Sequence, residues 1–327
     1  MRKLLSVMFA LALTGSLASA ASPTTADLLR LVPEGAQAIV SIDSAALRVH
    51  PFVQSWLAGQ HAWAATDETL KHFLDDAGLD PVRDVDLILL AAVGDGRETA
   101  GVVFLVGHFD AAALASALTA RGASAFTLAG VPALRLPESG HCAAPAVLVQ
   151  RSADLVIVGE EASVAAAVAP AHGIPALVSA EIAAGEIDLA APFWMAAAVP
   201  AAARRHVGET AAHMQGEGSE SIRGALLASG AVQKVIVRAY LDDSLRVLAS
   251  AVTDTAEDAD LLRDTIKGAI AAARLHLQAS SPELVDVLRG IEVSADGAAV
   301  SGKGAIPIAL LEKVRAEHKA SHGSDEL

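Results

Sequence analysis

A hairpin that runs directly into a helix is the feature that most constrains the fold of this 327-residue chain. Residues 87–93 and 102–106 are apolar runs of strand length, and Gly94-Asp95-Gly96 between them has the composition of a turn. Asp110 stands where a helix N-cap belongs, ahead of the alanine-rich run 111–118, and Gly122 is placed to end that helix. The same order of elements recurs further along, so the sequence predicts that hairpin-then-helix is the repeating unit.

The second copy of this unit is predicted between residues 232 and 277. Residues 232–241 and 245–252 form a hairpin across Asp242-Asp243, and a helix is expected to begin at Asp254 or Thr255. Its apolar positions step by three and four and form a stripe suited to a sheet face: Ala259, Leu262, Ile266, Ala269, Ala273 and Leu277. The predicted fold is therefore α+β, with two lobes of antiparallel sheet, helices packed on one face, and an internal duplication.

The first 20 residues have the organisation of a signal peptide. A basic start, Met1-Arg2-Lys3, precedes an apolar run at 4–13 that is too short to span a bilayer, and Ala18-Ser19-Ala20 matches a cleavage site. We expect a bacterial protein of the periplasm or the exterior, with no membrane span once the signal is removed. The predicted order continues with a first lobe at 21–175, a second at 176–318 and a disordered tail at 319–327.

The charge of the chain limits its partners. Removal of Arg2 and Lys3 leaves 22 basic residues against 38 acidic ones, which gives the mature chain a net charge of −16 with neutral histidines. A phosphate backbone would be repelled, so nucleic acid is excluded as a partner. Aromatic residues make up only 3% of the chain, so helices and sheet are expected to pack through small side chains.

The single cysteine, Cys142, cannot form an internal disulfide. Pairing with another chain and nucleophilic chemistry beside His141 are both conceivable, but the surrounding sequence is typical of a loop that enters a strand. We interpret Cys142 as an inert thiol.

Three sets of residues resemble motifs that carry chemistry. Residues 297–304, Gly-Ala-Ala-Val-Ser-Gly-Lys-Gly, come within one residue of a phosphate-binding loop, but Gly304 replaces the Ser or Thr that coordinates the metal. The segment also lies across a predicted hairpin, so we interpret it as a strand with glycines. His206, Glu209 and His213, and likewise His318 and His322, share helical spacing, but neither set has the further ligands that a metal site needs.

Acidic residues that directly follow strands are candidate catalytic groups. Asp43, Asp110 and Asp254 follow predicted strands, but each also precedes a helix, and capping is the simpler interpretation. The final Ser324-Asp325-Glu326-Leu327 is similar to an endoplasmic-reticulum retention signal, which a bacterium cannot use. The sequence predicts no catalytic, cofactor-binding or metal-ligating residue and no cofactor.

A resemblance supports the prediction of export. Residues 31–43, Leu-Val-Pro-Glu-Gly-Ala-Gln-Ala-Ile-Val-Ser-Ile-Asp, and residues 78–85, Gly-Leu-Asp-Pro-Val-Arg-Asp-Val, resemble uncharacterised exported bacterial proteins with alanine-rich sequences. That group has no established activity, so the resemblance implies no functional residue.

These observations leave three functions open. The first is a non-catalytic binding or scaffold protein that holds an unknown protein or envelope component through a sheet edge or an interlobe cleft. The second is a hydrolase-type enzyme whose site is assembled from distant Asp, Glu and His residues. The third is a carrier of an apolar ligand between the lobes, for which only four aromatic residues are suitably placed: Phe104, Phe126, Phe193 and Trp194.

Overall fold

The computed structural model describes residues 22–64, 80–94, 99–137, 146–213, 228–278 and 280–322. Every strand in these ranges belongs to one antiparallel sheet. Twelve strands are paired in the spatial order β11-β12-β10-β9-β8-β1-β2-β3-β7-β6-β5-β4. Their bounds are β1 Ala36–Asp43, β2 Val85–Gly94, β3 Thr99–Gly107, β4 Ser124–Leu128, β5 Val131–Arg135, β6 Ala146–Ser152, β7 Leu155–Glu160, β8 Phe193–Ala198, β9 Val232–Leu241, β10 Ser244–Thr253, β11 Glu292–Asp296 and β12 Ala299–Pro307.

Helices connect the strands and flank the sheet. Their bounds are α1 Thr25–Leu29, α2 Ser44–Arg48, α3 Pro51–Ala64, α4 Pro81–Asp84, α5 Ala111–Ala120, α6 Glu161–Val168, α7 Ala176–Ala183, α8 Ala201–His213, α9 Ala256–Leu277, α10 Pro282–Arg289 and α11 Ile308–His322. Among the described residues, no helix has the length and apolar character needed to cross a bilayer.

The predicted α+β class and the two hairpin-then-helix units are confirmed. The β2-β3 hairpin leads into α5, and the β9-β10 hairpin leads into α9. The two halves are not separate sheets, however, because β1 of the first half pairs with β8 of the second along residues 38–42 and 193–197. The predicted lobe boundary near residues 171–175 falls between α6 and α7 and stays a prediction.

Side-chain caps begin the helices at the expected places. The Asp110 carboxylate accepts hydrogen bonds from the backbone N–H groups of Ala112 and Ala113, both at 2.9 Å. Asp43 accepts from Ala46 N at 2.7 Å. These bonds satisfy donors that a helix N-terminus leaves unpaired, so polar residues directly after strands serve to turn the chain into helices.

The main core lies on one face of the sheet, beneath the short helices α1, α6 and α7. Phe104 of β3 and Trp194 of β8 are fully buried there, together with Leu28 of α1, Val164 of α6 and Val178 of α7. This core spans both halves of the sheet, since Ala196 and Ile236 belong to it as well.

The two helices that follow the hairpins cover the opposite face. Leu114 and Leu118 of α5 pack on Leu148 and Val156 of the first half. Ala259 and Leu262 of α9 pack on Val300 of the second half. The prediction that these helices lie on one face is confirmed, and the shorter helices add a layer on the other face.

Three further local features complete the fold. Ser124–Leu128 forms β4, which pairs with β5 across a turn at Ala129-Gly130, both with positive φ. α6 begins at Glu161 and buries Ser163 in its first turn. α11 continues to His322.

Candidate functional site

A cleft of about 540 Å³ with an almost wholly apolar lining lies between the second half of the sheet and the helices α9 and α10. We call it the aliphatic cleft. Its roof consists of Ile266, Ala273 and Leu277 of α9 and Leu284, Val287 and Leu288 of α10. Its floor consists of residues from β9, β10, β11 and β12: Val235, Leu245, Val247, Ala249, Ala251, Val293, Val300, Gly302, Gly304 and Ile306.

Small residues on the floor explain why the cleft exists. In the first half, β3 and β7 occupy the places that β10 and β12 occupy in the second, and they present Leu105, Val156 and Val158 to α5. At the middle of the second half, Ala249 pairs with Gly302, so the side chains on this part of the floor are small or absent. Helices α9 and α10 therefore cover an open space. In the first half, larger side chains fill the corresponding space beneath α5.

The side chains around the cleft are incompletely buried. Of the apolar residues that line it, only Val300 is fully buried, and the others are half-buried apart from the exposed Ala305. Leaving aliphatic surface accessible to water costs about 25 cal/mol per Å² relative to burial. An apolar ligand in the cleft would recover that free energy.

The lining carries almost no polar chemistry. Only Ser250 and Lys303 among the lining residues are polar. Ser250 pairs across the sheet with Ile236, which packs into the main core on the opposite face, and Lys303 forms an ion pair with Glu292 at 3.0 Å. Neither side chain directs a hydrogen-bond donor into the cleft, so the cleft suits a hydrocarbon.

Aromatic residues do not form this site, contrary to the expectation for a carrier. Phe104 and Trp194 are buried in the main core on the other face, and Phe126 packs against that core beneath the guanidinium of Arg135. Phe193 is half-buried on β8, outside the cleft lining. The aliphatic cleft also lies within the second half rather than between two lobes.

An apolar surface continues from the cleft across the centre of the sheet. Val237, Met195, Val40 and Leu90 form one row in register on neighbouring strands, next to Ala249 of the cleft floor. The flanking rows on the same face are also apolar: Ile88, Ile42, Phe193 and Ala239 on one side, and Ala92, Ala38, Ala197 and Val235 on the other. We call this surface, on β2, β1, β8 and β9 between α5 and α9, the apolar trough.

The segment similar to a phosphate-binding loop lies inside this site in a different role. Residues 299–304 belong to β12, paired with β10 on one side and β11 on the other. Gly302 and Gly304 face the cleft, and Lys303 points away from it. The glycines thus leave space in the cleft, and the strand pairing of this segment does not form a phosphate-binding loop.

The candidate metal ligands are not assembled into a site in the described ranges. Within the part of the chain that the structure describes, no group of three or more His, Cys, Asp or Glu residues could hold a metal ion. His206, Glu209 and His213 all fall on α8, and His318 and His322 fall on α11. Cys142, His141, the signal peptide and the last four residues lie outside the described residues, as does Asp95-Gly96 of the first turn.

The carboxylates with altered pKa have structural partners. Arg83 donates to Asp84, which also accepts from Asp80 N at 2.7 Å, and these hydrogen bonds hold the pKa of Asp84 below its usual value. Asp254 does not cap α9 as predicted, because Thr255 does. Instead Asp254 accepts from Gln233 and Arg204, which lowers the pKa of its carboxyl.

The fold and site together define an α+β protein with one long antiparallel sheet and an open aliphatic cleft on one face. No family model and no curated protein matches the chain. The chain is similar in structure to crystal form I of TP0453, with a TM-score of 0.46 and 10% identity over 89% of this chain and 97% of the other. Crystal form III of TP0453 gives a TM-score of 0.49 and 9% identity over 88% and 97% of the two chains.

Proposed function

We propose that this is an exported, non-catalytic binding protein that holds a hydrocarbon ligand in the aliphatic cleft. The observation that carries the proposal is the cleft itself, about 540 Å³ with an aliphatic floor and roof. Its volume falls within the range of ligand pockets, about 300–1,000 Å³. Its lack of inward polar side chains favours an alkyl chain over a polar substrate.

Export is supported by the signal-peptide pattern in residues 1–20 and by the acidic composition. A protein that carries an apolar chain through water needs a charged exterior and an apolar binding site. The acidic exterior and the half-buried aliphatic lining meet these two needs.

The proposal is tested by titrating delipidated protein with fatty acids of 8, 10 and 12 carbons and counting bound molecules by native mass spectrometry. Each methylene transferred to the cleft contributes about 0.8 kcal/mol, so the dissociation constant should fall about fourfold per carbon. Saturation at one chain per protein is expected. Binding that does not saturate, or that is independent of chain length, would contradict a cleft-bound hydrocarbon.

A second candidate function is recognition of a protein partner by strand addition. The edge strand β4 consists of Ser-Ala-Phe-Thr-Leu and carries no charge, whereas β11 at the opposite edge carries Glu292 and Asp296. Charged residues on edge strands discourage pairing with other chains, so β4 is the more permissive edge. A photo-crosslinking residue at Ala125 should then capture an envelope protein that the same residue at Ser294 does not.

A further inference from the structure

The apolar trough lies outside the aliphatic cleft, and the proposed function does not yet account for it. Val103, Leu90, Val40, Met195, Val237, Ala249, Gly302 and Val293 stand in register on eight successive strands. Its central members Val40, Met195 and Val237 are only half-buried, and Leu90 is 37% exposed. Branched side chains in the middle of a sheet are ordinarily covered.

We propose that the ligand is a long hydrocarbon chain, one part in the aliphatic cleft and the rest across the apolar trough. This inference rests on the proposed function. The two surfaces meet at β9, because Val235 lines the cleft and pairs with Ala197 in the trough. α9 packs on β10, β11 and β12, so the β9 side of the cleft faces the trough.

The length of the cleft limits how much of a chain it holds. The cleft floor extends from Leu245 to Ala251 along β10, about 20 Å at a rise of about 3.3 Å per residue. At an advance of about 1.3 Å per carbon, about 15 carbons of an extended chain fill that length.

Chain length then decides whether the trough is used. With C–C bonds of about 1.5 Å, a staggered chain advances about 1.3 Å per carbon, so 12 carbons span about 15 Å and remain within the cleft. A 22-carbon chain spans about 28 Å, about 8 Å more than the 20 Å floor, which is enough to pass from β9 to β8 at a strand spacing of about 4.8 Å. A 22-carbon chain therefore reaches Met195, whereas a 12-carbon chain does not.

The chemistry of the trough agrees with this occupant. Its three rows contain aliphatic side chains, Phe193 and Met195, with no charged or hydroxyl side chain. A polar molecule would lose hydrogen bonds to water there without replacement, which is costly. A saturated chain loses none.

The test compares fatty acids of 12 and 22 carbons, delivered from cyclodextrin, on the wild-type full chain and on Met195→Lys. Wild type should bind the 22-carbon acid at least about tenfold more tightly than the 12-carbon acid. Met195→Lys should reduce this ratio to near one and leave the 12-carbon affinity unchanged. Met195→Leu, which keeps an apolar side chain of similar size, should preserve the wild-type ratio.

Leu90→Lys is the second variant, because Leu90 is already exposed and the substitution is compatible with the fold. It should weaken only chains that are long enough to cross β1. An unchanged ratio in Met195→Lys would overturn the trough assignment and leave the proposed function intact. A wild-type dimer that Leu90→Lys converts to a monomer without ligand would also overturn it, since the trough would then bind a second copy. Failure of both acids to bind wild type would instead refute the proposed function.

Discussion

Replacement of Gly302 by leucine tests the site most directly. Gly302 lies on the cleft floor, in β12, with ordinary extended backbone. A Cβ atom added there would meet only Glu292 O, at 3.9 Å, which is a normal contact distance. The leucine side chain can therefore enter the cleft without displacing the backbone.

The expected loss of affinity follows from the space that the new side chain takes. Leucine adds four carbon atoms, which displace about four methylene groups of a bound chain. At about 0.8 kcal/mol for each buried methylene, the ligand loses about 3 kcal/mol of binding free energy. Since each 1.4 kcal/mol is a tenfold change, the dissociation constant of a 12-carbon acid should rise about 100- to 200-fold.

Ser301→Leu provides the matched control. Ser301 is exposed, one residue earlier on the same strand, and pairs with Ser250 and Ser294 on the opposite face. Both variants should retain the wild-type circular dichroism spectrum, and Gly302→Leu should unfold at or above the wild-type temperature because its leucine is buried. Calorimetric titration measures the affinity. A folded Gly302→Leu protein with unchanged affinity would refute the cleft as the binding site.

Three further predictions concern stability. Gly107→Ala should lower the free energy of unfolding by about 2 kcal/mol or more, because its Cβ would lie 1.9 Å from Asp84 O. Gly101→Ala is the control, since its Cβ would have no atom within 4 Å, and it should leave the free energy of unfolding in urea unchanged. The depressed pKa of Asp84 means that its carboxylate contributes stability above its unfolded pKa of about 4 and loses it as pH falls through the folded value. The difference in urea midpoint between wild type and Asp84→Asn should therefore shrink from pH 6 to pH 2, and a constant difference would contradict this. Lys234→Met should cost about 1–3 kcal/mol by removing the partner of the largely buried Glu181, and adding Glu181→Leu should restore most of that loss in thermal unfolding.

Local sequence signals predicted the elements whose cause is local. The Asp110 cap, the Asp242-Asp243 turn and the stripe on α9 each depend on residues within a few positions of one another, and all three appear in the structure, except that Ala269 of the predicted stripe is exposed. β4 lacks such a local signal, because its strand pairing depends on the Ala129-Gly130 turn, whose first residue is a non-glycine with φ of 49°. Alanine does not signal that conformation in a sequence.

The cleft could not be predicted in this way because its causes are far apart in the chain. A run such as Ser301-Gly302-Lys303-Gly304 shows two glycines, but only the pairing with β10 shows that Ala249 lies beside Gly302. The distance between the sheet and the helices α9 and α10 is likewise set by packing. One sequence signal was available. Strands β3 and β7 carry Leu and Val where β10 and β12 carry Ala and Gly, and this contrast becomes visible once the two halves are aligned by topology.

The pairing of β1 with β8 has a consequence for biogenesis. β1 is synthesised early, but its second neighbour, β8, follows only after residues 44–192 have been made. Contacts this distant in sequence slow folding, and an unpaired central strand is prone to pair with other chains meanwhile. A nascent chain stalled before residue 193 should therefore need a holding chaperone, and this demand should disappear as soon as the strand at 193–198 is available.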